Sequence, residues 1–330
     1  MCLLKKFTNE LLNNNLLIPY QSLLICTSGG QDSLSLVYLF KILKKSWHWR
    51  IGIVYCDHLF QINSISTGRF ICKLSLKLNF EFYEIISTQY FNSEFEARNW
   101  RYKKLLKLAQ FYGYSSIITG HTKNDKIESF FLHLLRGSSL LGLQSILQKI
   151  KLTNETNLIR PLLNFSRAEI LLFIRGTNFP ICFDQTNKNL NYFRNRIRNQ
   201  LIPYLKIFFN PKLDTKIIQI INFIQVETQY FSDLNFLTIS SFLFIKNNLI
   251  YLNYSIFLKL PIINQRKIIY KISQWIKIPH NNFFELEQFR LIFNQSFYNI
   301  KKYLFFLKKN ILIKSFSYRF CLYICLEFKN

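Results

Sequence analysis

Between Leu23 and Arg175, short apolar runs alternate with longer segments whose apolar positions recur every three or four residues. LLICT (23–27), RIGIVYC (50–56), FEFYEII (80–86), SSIITG (115–120) and NLIRPLL (157–163) read as strands. The segments 31–45, 64–79, 93–112, 124–136 and 166–175 read as helices. Leu105, Leu108 and Ala109 mark the inner face of the third helix, and Ser166 is a helix-starting residue for the last. Strand–helix alternation of this length predicts an α/β domain, a parallel sheet with helices on both faces. Ligands in such sheets sit beyond the carboxyl ends of the strands. That rule selects residues 28–33, 56–58, 119–125 and the stretch after Leu163.

The alternation stops near residue 205. Beyond it the pattern predicts one long helix over 212–231 and a hairpin over 238–254 turning at Lys246-Asn247-Asn248. Helices follow near 262–277 and 282–295, and a second hairpin over 301–316. The expected organisation is a first domain over 1–205 and a smaller, mixed, mainly helical domain over 206–330. Aromatic residues make up 17% of the chain. Most of those in the second half, such as Phe236, Phe242 and Tyr251, are therefore expected to be core.

Composition narrows the class. Hydrophobic residues make up 49% of the chain, which excludes a disordered protein. No uncharged apolar run reaches the eighteen or so residues that span a bilayer, and the N-terminus lacks the features of a signal peptide. The chain is thus expected to be soluble, without a membrane partner. Seven cysteines are scattered without a CxxC pair, which argues against a zinc ribbon, an iron–sulfur site or a redox dithiol. Lys and Arg total 43 against 18 Asp and Glu, a net charge of +25. A polyanion is the simplest partner for that excess. Abundant Phe, Ile, Asn, Lys and Tyr with only 9 Gly resemble the coding bias of an AT-rich genome. That bias explains some lysines but not placed arginines.

The first strand ends in Ser28-Gly29-Gly30-Gln31-Asp32-Ser33. This is neither a Walker loop nor a dinucleotide fingerprint. A glycine pair after a strand by itself only makes a turn. Here two glycines clear the way for backbone N–H groups, a helix start adds partial positive charge, and Ser28 and Ser33 offer hydroxyls. A bare carboxylate would repel phosphate, so Asp32 fits as a ligand of Mg²⁺ bridging to phosphate oxygens.

TSGGQDS (27–33) is the signature of the PP-loop ATP pyrophosphatase superfamily. The chain also resembles one branch of it, the tRNA(Ile)-lysidine synthetases, through YCDH (55–58), EARNWRY (96–102), GHTKNDKIES (120–129), RGSSLLGL (136–143) and RPLLNFSRAEI (160–170), with DQTN and YFRNRIRNQLIPYL within 184–205. The resemblance implies a ligase using ATP, Mg²⁺ and free L-lysine. ATP adenylates the C2 oxygen of the wobble cytidine in an isoleucine tRNA with a CAU anticodon, releasing pyrophosphate. The lysine ε-amine then displaces AMP to give lysidine. It further implies that residues 206–330 recognise tRNA, leaves room for a homodimer, and with the compositional bias suggests the plastid stroma or, alternatively, a bacterial cytoplasm. Where the family often has two acids this chain has Asn124-Asp125, so only Asp125 is carried over.

Residue chemistry meets those demands. A free lysine side chain is unprotonated only about four times in ten thousand at pH 7, so the second step needs desolvation or a base. His121, Asp125 and Glu128 follow the fourth strand, and Asp125 and Glu128, three apart, share a helix face. They can bind the ammonium, take its proton or complete a metal shell; singly, each also suits helix capping or solvation. Arg98 and Arg101 share a helix face and read as contacts to tRNA or phosphates, or as a solvated face. Arg194, Asn195, Arg196 and Arg198 are denser and read as a phosphate comb. A 2-thiolation enzyme is disfavoured by the missing CxxC, and a non-catalytic RNA-binding relative by the intact loop.

Overall fold

The computed structural model describes residues 2–57, 64–89, 91, 94–176, 193–240, 243–246, 249–275, 286–288, 290–291, 294, 311–318 and 321–328. The chain divides into two compact units, Met1–His133 with Ser145–Gln219, and Leu134–Gln144 with Ile220–Asn330. None of its described helices is long and apolar enough to cross a membrane.

In the first unit, α1 (Cys2–Asn13) precedes β1 (Ser22–Thr27), α2 (Gln31–Trp47), β2 (Arg50–Asp57), α3 (Ser64–Lys77), β3 (Glu81–Ile86), α4 (Glu94–Phe111), β4 (Ser116–Thr119) and α5 (Lys123–Leu135). After the short α6 (Leu140–Leu143), which belongs to the second unit, come β5 (Lys149–Lys151), β6 (Asn157–Ile159) and α7 (Arg167–Arg175). The six strands lie in the order β3-β2-β1-β4-β6-β5, parallel except for β5. β1 is central because SLLICT is apolar on both faces. Leu23 and Ile25 pack with Leu36, Phe40, Ile71 and Ile170 from α2, α3 and α7. Leu24 packs on the other side with Leu105 and Ala109 of α4. β1 feeds β2 on one flank and pairs with β4 on the other, which makes the gap between their carboxyl ends the topological switch point.

Some elements differ from expectation. α1 and β5 were not foreseen, and the strand expected over 157–163 ends at Ile159. Arg160 N turns aside to donate to Gln148 O at 2.8 Å, and Pro161 has no N–H for a ladder.

α8 (Phe193–Arg196) runs through a single wide turn, Ile197–Leu201, into α9 (Ile202–Phe208). The widened turn sits where Pro203 cannot donate to the carbonyl four residues back. α10 (Leu213–Ser240) begins in the first unit and ends in the second.

In the second unit, β7 (Leu243–Lys246), β8 (Leu249–Asn253), α11 (Tyr254–Lys259), α12 (Ile262–Trp275), β9 (Ile311–Tyr318) and β10 (Cys321–Phe328) follow. β7-β8-β10-β9 form an antiparallel sheet beside buried Leu252, Phe257, Ile268, Ile269 and Ile272. The expected 238–254 hairpin exists as β7–β8. β9 and β10 form a hairpin, with Cys321 opposite Tyr318, while the first part of the hairpin expected over 301–316 cannot be placed against it. Residues 301–310 and most of the helix expected at 282–295 lie outside the described residues.

Candidate active site

The loop after β1 is held by hydroxyls. Thr27 Oγ1 donates to Ser33 Oγ at 3.0 Å, Ser33 Oγ donates to Gly30 O at 2.9 Å, and Ser28 N donates to Ser33 Oγ at 3.3 Å. Gly29 has φ +79°, a conformation that favours glycine. Gly30 is the N-cap of α2 with no side-chain cap, so the first N–H groups of the helix keep no cap of their own. Ser28 stands exposed beside them.

Gly120, just after β4, is a second close approach. A Cβ there would lie 3.1 Å from Ser33 Cα and 3.2 Å from Ser33 N. The lack of a side chain brings the loop after β4 against the first turn of α2.

Asp32, in that first turn, faces Arg167, whose Nε donates to Asp32 Oδ2 at 3.1 Å. Asp32 Oδ1 is buried and has no hydrogen-bond partner. Burial pushes the Asp32 carboxyl above its usual range, with Arg167 opposing and Asp125 adding to the rise. An orphaned, desolvated carboxylate oxygen beside a phosphate-shaped loop fits a hard cation. No group of three or more metal-binding side chains exists among the described residues. A single carboxylate suits Mg²⁺, which keeps waters and phosphate oxygens for most of its shell.

Arg167 ties this loop to α5. Its Nη2 donates to Asp125 Oδ1 at 2.9 Å and its Nη1 reaches Glu128 Oε1 at 3.4 Å. The α8–α9 segment supplies two more arginines. Arg194 donates to Glu128 Oε2 at 2.9 Å and Asp125 Oδ1 at 3.0 Å, and Arg198 to Glu128 Oε1 at 2.7 Å and Oε2 at 2.9 Å. Three carboxylates thus meet three guanidinium groups, and the cluster is neutral. Glu128 is only 1% exposed, so its charge depends on these partners. Asp125 Oδ2 accepts from Thr122 N and Oγ1, both at 2.8 Å, which ties it to the start of α5. Burial alone would raise the Asp125 carboxyl, but Arg167 and Arg194 hold it down at about 2. His121 Nδ1 lies 2.9 Å from Thr119 Oγ1. Desolvation pushes the imidazole down to about 3, against the pull of Asp125, so it is neutral at physiological pH.

Of the residues expected from the sequence, Ser28, Gly29, Gly30, Gln31, Asp32 and Ser33 come together with His121, Asp125 and Glu128. Arg194 and Arg198 join them through the acids. Arg196 instead lies over the Phe193 ring, 5.1 Å from its centroid, so the three arginines are not one comb. Asn195 is on α8 between them. Arg98 lies over the Tyr102 ring at 5.4 Å, and Arg101 sits one turn along α4 with a buried Nε. His58 and residues 177–192 are outside the described residues.

Sequence reasoning missed Arg167, the hub of the cluster, and Asn124, whose Oδ1 accepts from Arg167 N at 3.0 Å. A signal existed. A capping box formed by Ser166 and Glu169 opens α7 and puts Arg167 at its first position, where the helix dipole disfavours a cation unless carboxylates face it.

Residues 3–205 match the PP-loop domain family designated ATP_bind_3. Over 268 residues the chain is 35% identical to the chloroplastic tRNA(Ile)-lysidine synthase of Zygnema circumcarinatum, covering 70% of this chain and 64% of that one. It is 39% identical to the tRNA(Ile)-lysidine synthase of Nostoc sp. over 208 residues, covering 63% and 61%. With the chloroplastic enzyme of Pyropia yezoensis it shares 36% identity over 226 residues, covering 68% and 69%. The match thus spans less than two thirds of the Zygnema and Nostoc proteins. Among solved structures, a U34-tRNA thiolase from Methanococcus maripaludis superposes with a TM-score of 0.58 at 16% identity, over 67% of this chain and 78% of that one, which is a likeness of fold.

Proposed function

The chain belongs to the tRNA(Ile)-lysidine synthase family of PP-loop proteins, and from that premise we propose that it joins lysine to C2 of the wobble cytidine in an isoleucine tRNA with a CAU anticodon. The observation that carries the reading is the Arg167 bridge, which links the phosphate loop at Asp32 to the carboxylate pair Asp125 and Glu128 at one switch point.

In the first step the triphosphate of ATP lies against the uncapped N–H groups of α2, with the Ser28 hydroxyl beside it. Asp32 Oδ1 would hold Mg²⁺, which when bound neutralises phosphate charge as pyrophosphate leaves. The cytidine O2 attacks the α-phosphate and becomes adenylated. In the second step the lysine ε-amine attacks C2 and AMP departs. Asp125 and Glu128 hold the incoming ammonium by exchanging an arginine for it. The low proton affinity of Asp125 suits it to holding a cation, and burial of the lysine favours loss of its proton. His121 stays neutral between the two half-sites and offers a hydrogen bond without a competing charge. The second unit and Arg196 supply further contacts to the tRNA. The relatives named chloroplastic and the one from Nostoc sp. support a plastid or a bacterial cytoplasm as the workplace.

The test is stoichiometry. With ATP, lysine and the CAU tRNA, the protein should release AMP and pyrophosphate in equal amounts, and only when the tRNA is present. Release of ADP and phosphate instead would refute α–β cleavage.

A further inference from the structure

Two cysteines that the proposed chemistry does not use meet beside the phosphate loop. Cys26 is the last residue but one of β1, and Cys56 the last but one of β2. In the parallel register Cys26 faces Val54 and Thr27 faces Tyr55, so Cys56 lies two residues past the partner of Cys26. That even offset puts both side chains on one face of the sheet, where they pack against Leu24, Val54 and Leu105. Both are free and partly exposed. The Cys56 thiol donates a hydrogen bond to the Cys26 sulfur, and the charge of Arg101 acts on both. The hydrogen bond from Cys56 pulls the Cys26 thiol down, with burial opposing and Arg101 helping. The same bond and burial push Cys56 up. The pair is therefore asymmetric: Cys26 is the readier thiolate, and Cys56 keeps its proton.

We propose that Cys26 and Cys56 are an oxidation site, at which a peroxide closes a disulfide that displaces the phosphate loop and stops ATP use until a thiol reductant reopens it. The Cys26 thiolate attacks one peroxide oxygen. The O–O bond breaks, hydroxide leaves and takes up a proton as water, and Cys26 becomes a sulfenic acid. The Cys56 thiol then attacks that sulfur, the S–O bond breaks and a second water leaves. Two thiols have lost two electrons and two protons, and one peroxide has become two waters. Strands about 4.8 Å apart and an offset of two residues of about 3.3 Å each put the two Cα atoms about 8 Å apart, beyond the range of about 4.4–6.8 Å for an unstrained disulfide. Closing the bond therefore draws the end of β1 towards β2. The ladders of β1 stop at Cys26 on the β4 side and at Thr27 on the β2 side, so little of the sheet opposes the movement. Thr27 follows Cys26, and its hydroxyl donates to Ser33 Oγ, which also accepts from Ser28 N. A shift at Cys26 passes directly to these ties of the loop. A bond closed under strain is also readily reduced, which makes the change reversible.

The experiment treats the full chain with hydrogen peroxide, alkylates the remaining thiols and reads a digest made without reductant by mass spectrometry, beside the pyrophosphate-release assay. The expected product is a linked peptide joining Cys26 to Cys56, lighter by two hydrogens than its two halves. The rate should fall by about tenfold or more, as when a placed donor is lost, and dithiothreitol should restore it. Cys26→Ser should keep the rate of untreated wild type and hold it under peroxide. Cys56→Ser should form no link and leave a sulfenic acid at Cys26 that dimedone traps, and it tests the pair if Cys26→Ser folds poorly. No link between Cys26 and Cys56 at a dose that oxidises other cysteines would overturn the site. So would a link that leaves the rate unchanged, or an equal loss of rate in Cys26→Ser. A wild type that releases no pyrophosphate would sink the proposed function, while the link and the melting shift with Mg-ATP would still decide the oxidation site.

Discussion

Replacing Asp32 with Ala separates catalysis from folding. Asp32 carries a buried oxygen with no partner, and burial raises its carboxyl. A raised folded pKa means that the ionised form is disfavoured on folding. The penalty is absent below the unfolded carboxylate value and grows as pH rises through the folded one. Removing the side chain relieves an unsatisfied acceptor, which is a gain of about 1–3 kcal/mol. Against that stand the ion pair with Arg167, whose partners are 29% and 22% exposed and which is valued at up to about 1 kcal/mol, and a favourable charge in the first turn of α2, up to about 1 kcal/mol. Arg167 keeps Asp125 and Glu128. The variant should therefore melt within about 4 °C of wild type, since about 1 kcal/mol shifts a unit of this size by about 2–4 °C. Leu36→Ala, in the fully buried core of α2, should lose about 2–5 kcal/mol by comparison. Turnover in Asp32→Ala should fall by about 10²-fold or more, and Mg-ATP, which should raise the melting temperature of wild type, should no longer raise that of the variant. Scanning calorimetry with and without Mg-ATP, beside the pyrophosphate-release assay, reads all three quantities. Retained turnover, or a loss of stability as large as that of Leu36→Ala, would refute the reasoning.

Gly120→Ala should keep the fold but cut turnover, because its Cβ must push Ser33 and Asp32 backbone atoms by a few tenths of an ångström; steady-state kinetics with unchanged activity would show that the loop tolerates the shift. His121 is held neutral down to about pH 3 against about 6.5 when unfolded, so its contribution is present above pH 6.5 and is lost as pH falls from there towards 3. His121→Asn should remove about 1.4 kcal/mol per pH unit of that slope, measured by urea unfolding between pH 6.5 and 4; an identical slope would place the titration elsewhere. Arg194→Met should leave Glu128 with Arg198 and Arg167 and still destabilise the unit, by up to about 3–5 kcal/mol; unchanged unfolding would mean that the ion network adds little.

Much of the first unit is legible in the chain because its central strands are apolar on both faces, as in LLICT and SIIT, and its helices keep a clean period. β5 is legible to no such rule. KIK is a three-residue edge strand with two exposed lysines, recruited only because Lys151 and Lys149 face Asn157 and Ile159 across β6. α1 hides its signal in a short segment whose Phe7 and Leu11 are buried only once the sheet exists. In the second unit, the apolar runs are broken both at Lys308-Lys309-Asn310 and at Arg319, so the pattern predicts a hairpin but does not fix where it turns. The phosphate loop and the paired acids are legible because their chemistry is local. Arg167 and Gly120 are not, since their partners lie across the sheet edge and become neighbours only through the strand order.

The most direct measurement is the mass of the wobble nucleoside. The CAU tRNA, incubated with the protein, ATP and lysine, is digested to nucleosides and analysed by mass spectrometry. The expected result is cytidine enlarged by one lysine with loss of water, absent without ATP or with Asp32→Ala. Unmodified cytidine alongside an active control enzyme, or a sulfur-bearing nucleoside in its place, would contradict the account.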